Sequence, residues 1–136
     1  MSNRITTGWV PFFLAGILCV SSGVALAHHS FAMFDQTKHV EIQGVVKDYQ
    51  WSQPHVWLDL MVPNKQGGEP VRWGLESQSP AILYRRGWKP DTFKVGDKIV
   101  VDVFPMKDGS AGGQMLRATL PDGSVITTAM GENQTY

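Results

Sequence analysis

Along the chain, apolar residues recur at every second position in several short runs, the spacing of strands that bury one face. Val56, Leu58, Leu60 and Val62 alternate with His55, Trp57, Asp59 and Met61, which predicts a half-buried strand. A turn-rich stretch from Pro63 to Pro70 follows, after which Val71, Trp73 and Leu75 alternate again. The two runs predict an antiparallel hairpin. Pairing Val62 with Val71 puts Leu60 opposite Trp73 and Trp57 opposite Glu76, which brings Glu76 diagonally near His55. Upstream, His39 to Trp51 reads as a strand whose alternation changes phase where Val45 follows Gly44, so a bulge or sharp bend is expected at that glycine. Downstream, Ile99, Val101 and Val103 mark a fourth strand, and Gln114 to Leu120, with Leu116, Ala118 and Leu120 in phase, marks a fifth. Val125 to Thr128 is expected as a short last strand after the Pro121-Asp122-Gly123 turn. The expected core is Val56, Leu58, Leu60, Val71, Trp73, Leu75, Ile99, Val101 and Val103.

The period of two breaks at Ser79-Pro80, a capping residue followed by a proline suited to a first helical turn, with Ala81 to Tyr84 behind it and Gly87 closing the segment. A short helix is expected there. Three strands, one helix and two or three further strands are the element order of the OB fold, a small partly open barrel. The expected fold class is therefore all-β with one short helix, an OB-like barrel of five to six strands. The lone helix between the third and fourth strands fits a two-sheet sandwich less well.

The amino end follows a different pattern. Arg4 supplies a positive charge, Val10 to Val20 is an apolar run short of the roughly 20 residues that span a bilayer, and Ala25-Leu26-Ala27 presents small residues where a signal peptidase reads. Residues 1–27 are read as a signal peptide cleaved after Ala27, residues 28–130 as one domain, and residues 131–136 as a flexible tail. The expected location is periplasmic or secreted, with no membrane anchor after cleavage. Cys19, the one cysteine, falls in the removed segment, so the mature domain has neither a disulfide nor a thiolate ligand. Across the full chain 12 Lys and Arg balance 12 Asp and Glu, which gives no basic footprint for a polyanion and argues against nucleic acid as a partner.

Six short motifs occur in fixed order through the mature chain: His28-His29-Ser30-Phe31, Trp51-Ser52-Gln53-Pro54-His55, Trp73-Gly74-Leu75-Glu76, Arg86-Gly87-Trp88, Val95-Gly96-Asp97 and Leu120-Pro121-Asp122-Gly123. Together they resemble a family of short exported bacterial proteins catalogued as a domain of unknown function. In that family the residue before the Pro-His pair is usually Asn, where this chain has Gln53. The resemblance implies compartment and fold; it supplies no activity and no site residues.

Candidate chemistry therefore rests on histidines. Cleavage after Ala27 would make His28 the first residue, and its α-amino and ring nitrogens could close on one ion. This resembles half of the histidine brace of copper proteins such as lytic polysaccharide monooxygenases and periplasmic copper carriers. A second imidazole would complete three nitrogens in a T shape, a donor set suited to Cu(II). His55 is the candidate, because its strand phase turns it away from the apolar core. Glu76 could be a further ligand or an orienting carboxylate. His29 offers an alternative in which amine, intervening amide and second imidazole bind one ion without help from the fold.

Trp57 shares the strand face of His55 and is a candidate for stacking on a ligand. The spacing supplies neither a serine elbow nor a carboxylate pair in one cleft, so no catalytic residue is assigned and binding or carriage is favoured over catalysis. The function expected is that of a small exported protein holding an envelope protein or a small molecule on its barrel. The alternative is a copper-binding carrier or, less favoured, an oxidative copper enzyme.

Overall fold

The computed structural model describes residues 31–128. The expected signal peptide and its cleavage point, Cys19, His28, His29 and the tail at 131–136 lie outside the described residues. A 3-10 turn at Phe31–Met33 precedes β1 (Val40–Gln50), β2 (Trp57–Val62), β3 (Val71–Glu76), α1 (Pro80–Tyr84), β4 (Lys98–Pro105), β5 (Gly112–Thr119) and β6 (Val125–Thr127). Neighbouring strands run in the order β3-β2-β1-β4-β5-β6, and a parallel pairing of β3 with β5 closes the first five into a barrel. This is the predicted OB-like barrel with one short helix, and the sixth strand hangs on the free edge of β5.

The alternation seen in the sequence becomes the inside and outside of this barrel. Val56, Leu58, Leu60, Leu75, Ile99, Val101 and Val103 are buried, joined by Val46, Met115 and Ala118. The end of the barrel next to α1 is filled by aromatic side chains. Trp88, the largest fully buried side chain, meets Phe93 edge to face, Phe93 meets Tyr49, and Tyr49 meets Trp51. The Trp88 indole Nε1–H donates to the Thr127 carbonyl at 3.0 Å, which satisfies the one polar atom of that ring and ties β6 to the plug.

Two core expectations need correction. Val71 is exposed and Trp73 half-buried. The cause is that β1 covers only part of the hairpin: its pairing with β2 begins at Val45 against Met61, so the Val62–Val71 end of the hairpin runs on beyond it. The bend expected at Gly44 is also misplaced. Ile42, Gly44 and Val46 all face inward without a change of phase, and the irregularity falls between Val46 and Asp48, where Lys47 is the extra residue. Gly44 is required for a different reason: a Cβ there would lie 2.9 Å from the Met61 carbonyl oxygen.

A second bulge lies in β5. Asp102 pairs with Arg117 and Val103 with Met115, so Leu116 is skipped. Met115 and Ala118 consequently face the barrel interior, whereas Leu116 turns outward to form a small second core with Phe34 and Phe104, flanked by Met106. This outer core holds down the segment that precedes β1. Phe34 bridges Met106, the Asp35 N–H donates to Pro105 O at 2.8 Å, and the Lys107 N–H donates to Met33 O at 2.9 Å.

Candidate functional site

The hairpin register is the predicted one: Val62 faces Val71, Leu60 faces Trp73 and Trp57 faces Glu76. Backbone pairing continues past the named ends of the strands, with the Ser77 N–H donating to Val56 O at 2.9 Å and the Val56 N–H to Gln78 O at 3.0 Å. These bonds bracket His55 and Glu76 and fix the backbone that carries them. His55 follows a cis Gln53–Pro54 peptide at the end of the β1–β2 loop.

His55 Nδ1 and Glu76 Oε1 are in direct contact. The carboxylate is nearly buried, its side chain 8% exposed, while the imidazole is 27% exposed. Burial pushes the Glu76 carboxyl above its ordinary range, and the His55 ring beside it pulls in the opposite direction. Glu76 is held from both sides, opposite Trp57 on β2 and opposite Gln114 on β5 in the parallel register. Gln114 is itself buried. The sequence offered no sign of it, because the β3–β5 pairing joins segments far apart in the chain.

Trp57 is 40% exposed beside this pair, as its strand phase predicts. Further along the same face, Arg72 Nη2 lies 2.5 Å from Asp59 Oδ2, a second pair formed by a nearly buried carboxylate and an exposed base. Gly74 sits opposite Asp59. Among the described residues no three His, Cys, Asp or Glu side chains cluster as a metal site. His55 and Glu76 are two such side chains in contact, with no third beside them among the described residues.

A separate cavity of about 560 Å³ opens where β1 and the hairpin diverge, lined by Val40, Ile42, Val62, Val71, Trp73 and Lys65 among others. It is largely apolar and does not include His55 or Glu76. Arg86 buries Nε and Nη1 without a hydrogen-bond partner among the described residues, and the Ser77 hydroxyl is likewise unpartnered.

Over residues 16–117 the sequence matches a family of unknown function, DUF6152. The chain belongs to that family. The match bears out the resemblance to a family catalogued as a domain of unknown function, and the family description assigns no activity. No curated protein matches the chain. Among solved structures, the chain is similar to Rim1, a mitochondrial single-stranded DNA-binding protein of S. cerevisiae. The identity is 12% and the TM-score 0.43, over 61% of this chain and 93% of that one. The barrel is defined by its own strand pairings.

Proposed function

We propose that this protein is an exported binding protein that carries a copper ion on the outer face of its β2–β3 hairpin. In this reading His55 is the ligand supplied by the fold, and the amino group and ring of His28, exposed by cleavage after Ala27, supply the rest. The observation that carries it is the His55–Glu76 contact. A histidine that ligates a metal almost always gives its other ring N–H to a carboxylate, a carbonyl or water. The β2–β3 face is also where OB barrels commonly take their ligands.

Chain reach supports the same reading. The outer core ties Phe34 against Phe104. Phe104 pairs with Gln114 and Gln114 with Glu76, so two strand spacings, about 10 Å, separate Phe104 from Glu76 along the sheet. Six residue-to-residue steps lead from Phe34 back to His28. With Phe31–Met33 wound as a 3-10 turn and the other three extended, they span up to about 16 Å. The length suffices.

The test is calorimetric titration of the cleaved protein with Cu(II), after mass spectrometry has established the mature amino end. One tightly bound ion per chain is expected. A mature start other than His28 removes the brace, and no tight copper binding by protein that does start at His28 ends this reading. A chain beginning with an added Met or tag lacks the required amine and is unsuitable.

A further inference from the structure

We infer that Glu76 is a positioning residue, which turns His55 so that Nε2 is the ring nitrogen presented to an ion, and is not itself a ligand. The inference rests on the copper reading for the identity of the ion, but the orientation of the ring stands on contacts within the barrel.

The Glu76 oxygen that meets the ring faces Nδ1. A carboxylate only accepts hydrogen bonds, so Nδ1 must carry the proton. In a neutral imidazole that choice leaves Nε2 with its lone pair, because one ring nitrogen is donor and the other acceptor. Glu76 thereby selects the tautomer as well as the angle of the ring.

Geometry also separates the carboxylate from the ion. The two ring nitrogens point away from one another, and an ion would stand about 2.0 to 2.1 Å beyond Nε2. Glu76 lies against the opposite nitrogen. To ligate the same ion it would have to leave Nδ1 and swing outward around the ring. It is fixed instead on a strand paired on both sides, by β2 and by β5, with its side chain nearly buried. Such a carboxylate is built in advance of the ion, and an orienting group of this kind saves the ordering that a free imidazole would undergo on binding.

The arrangement also separates this site from the His28-His29 mode. Binding by the terminus alone takes nothing from the hairpin, so changing Glu76 would leave it untouched.

The test has a metal-free arm and a copper arm, both on cleaved protein with its native amino end. In the metal-free arm, nitrogen NMR of the neutral His55 ring is expected to show the Nδ1–H tautomer, and Glu76→Ala to convert it to a mixture. In the copper arm, pulsed electron paramagnetic resonance reads the ring nitrogen remote from the ion. Glu76→Gln is expected to shift the quadrupole coupling of that remote nitrogen while leaving the copper hyperfine coupling unchanged. Copper affinity should fall 10–100-fold in Glu76→Ala, the range for loss of an outer partner, and less in Glu76→Gln, whose amide oxygen still accepts from Nδ1.

An Nε2–H tautomer in the metal-free protein overturns the inference. So does a Glu76→Gln protein whose copper hyperfine coupling changes while the remote nitrogen does not, since that marks a lost ligand. If Glu76→Ala does not fold, the wild-type tautomer and the Glu76→Gln spectra still decide. The Nδ1–H tautomer in a wild-type protein that binds no copper would end the copper reading and leave the orientation of His55 standing.

Discussion

The outer face of the hairpin carries two carboxylates built alike and partnered differently. Asp59 on β2 and Glu76 on β3 are both nearly buried, and each meets a more exposed basic group from the other side of the hairpin. For Asp59 that group is Arg72, whose guanidinium has donors and no acceptor, so its electrostatic demand is met and it has nothing to offer a cation. For Glu76 it is His55, whose ring spends one nitrogen on the carboxylate and keeps a lone pair on the other. The same cross-strand geometry thus yields a structural ion pair in one place and, in the proposed copper reading, an imidazole presented to an ion in the other. The partner's chemistry makes the difference, more than its position.

The comparison can be broken from beneath. Leu58 is fully buried on the inner face of the strand that carries Asp59. Leu58→Ala should cost about 2 to 5 kcal/mol, read by denaturant unfolding, and should weaken both pairs together by loosening their platform.

It can be sharpened by removing one base at a time. His55→Ala should lower copper affinity by more than ~100-fold, since a ligand is worth more than the outer partner that orients it. Arg72→Ala should leave copper affinity unchanged and lower the melting temperature slightly, by an amount that shrinks with added salt. Equal loss of copper binding in both variants would show that the two pairs serve one purpose.

The smallest effect expected comes from a surface pair outside the hairpin that serves as a reference. Lys38 beside Asp35, together with Thr37, holds the Asp35 carboxyl at about 2, below its ordinary 3.8. A folded-state value below the unfolded one stabilises the fold above about pH 4, and the contribution disappears as pH falls through 2. Asp35→Asn should therefore lower stability slightly above about pH 4 and leave it unchanged below about pH 2, which flattens the acid limb of a profile measured by unfolding at successive pH values, and should leave copper binding unchanged.

Much of this site was legible in the sequence because it is local. Two alternating runs joined by one turn have few registers that bury both sets of apolar residues, and the one that sets Val62 against Val71 puts Glu76 beside His55. Depth was less legible than phase. Val71 and Trp73 have the inward phase of Leu75, but how far β1 extends over them depends on another strand's register. At Gly44, the exposed Val45 imitated a phase change that occurs three residues later, at Lys47. The β3–β5 closure that sets Gln114 beside Glu76 is a non-local pairing with no local signal.

The extra residue in β5 has one more consequence. By turning Leu116 outward it sets two cores of unequal size among the described residues, fourteen buried residues inside the barrel and three outside it. Local opening costs least where the fewest apolar contacts are lost, so the outer core, and with it the segment from Phe31 to Phe34, should open and reclose far more often than the barrel unfolds. The hairpin that carries Glu76 packs on the larger core and keeps its shape while the smaller one opens.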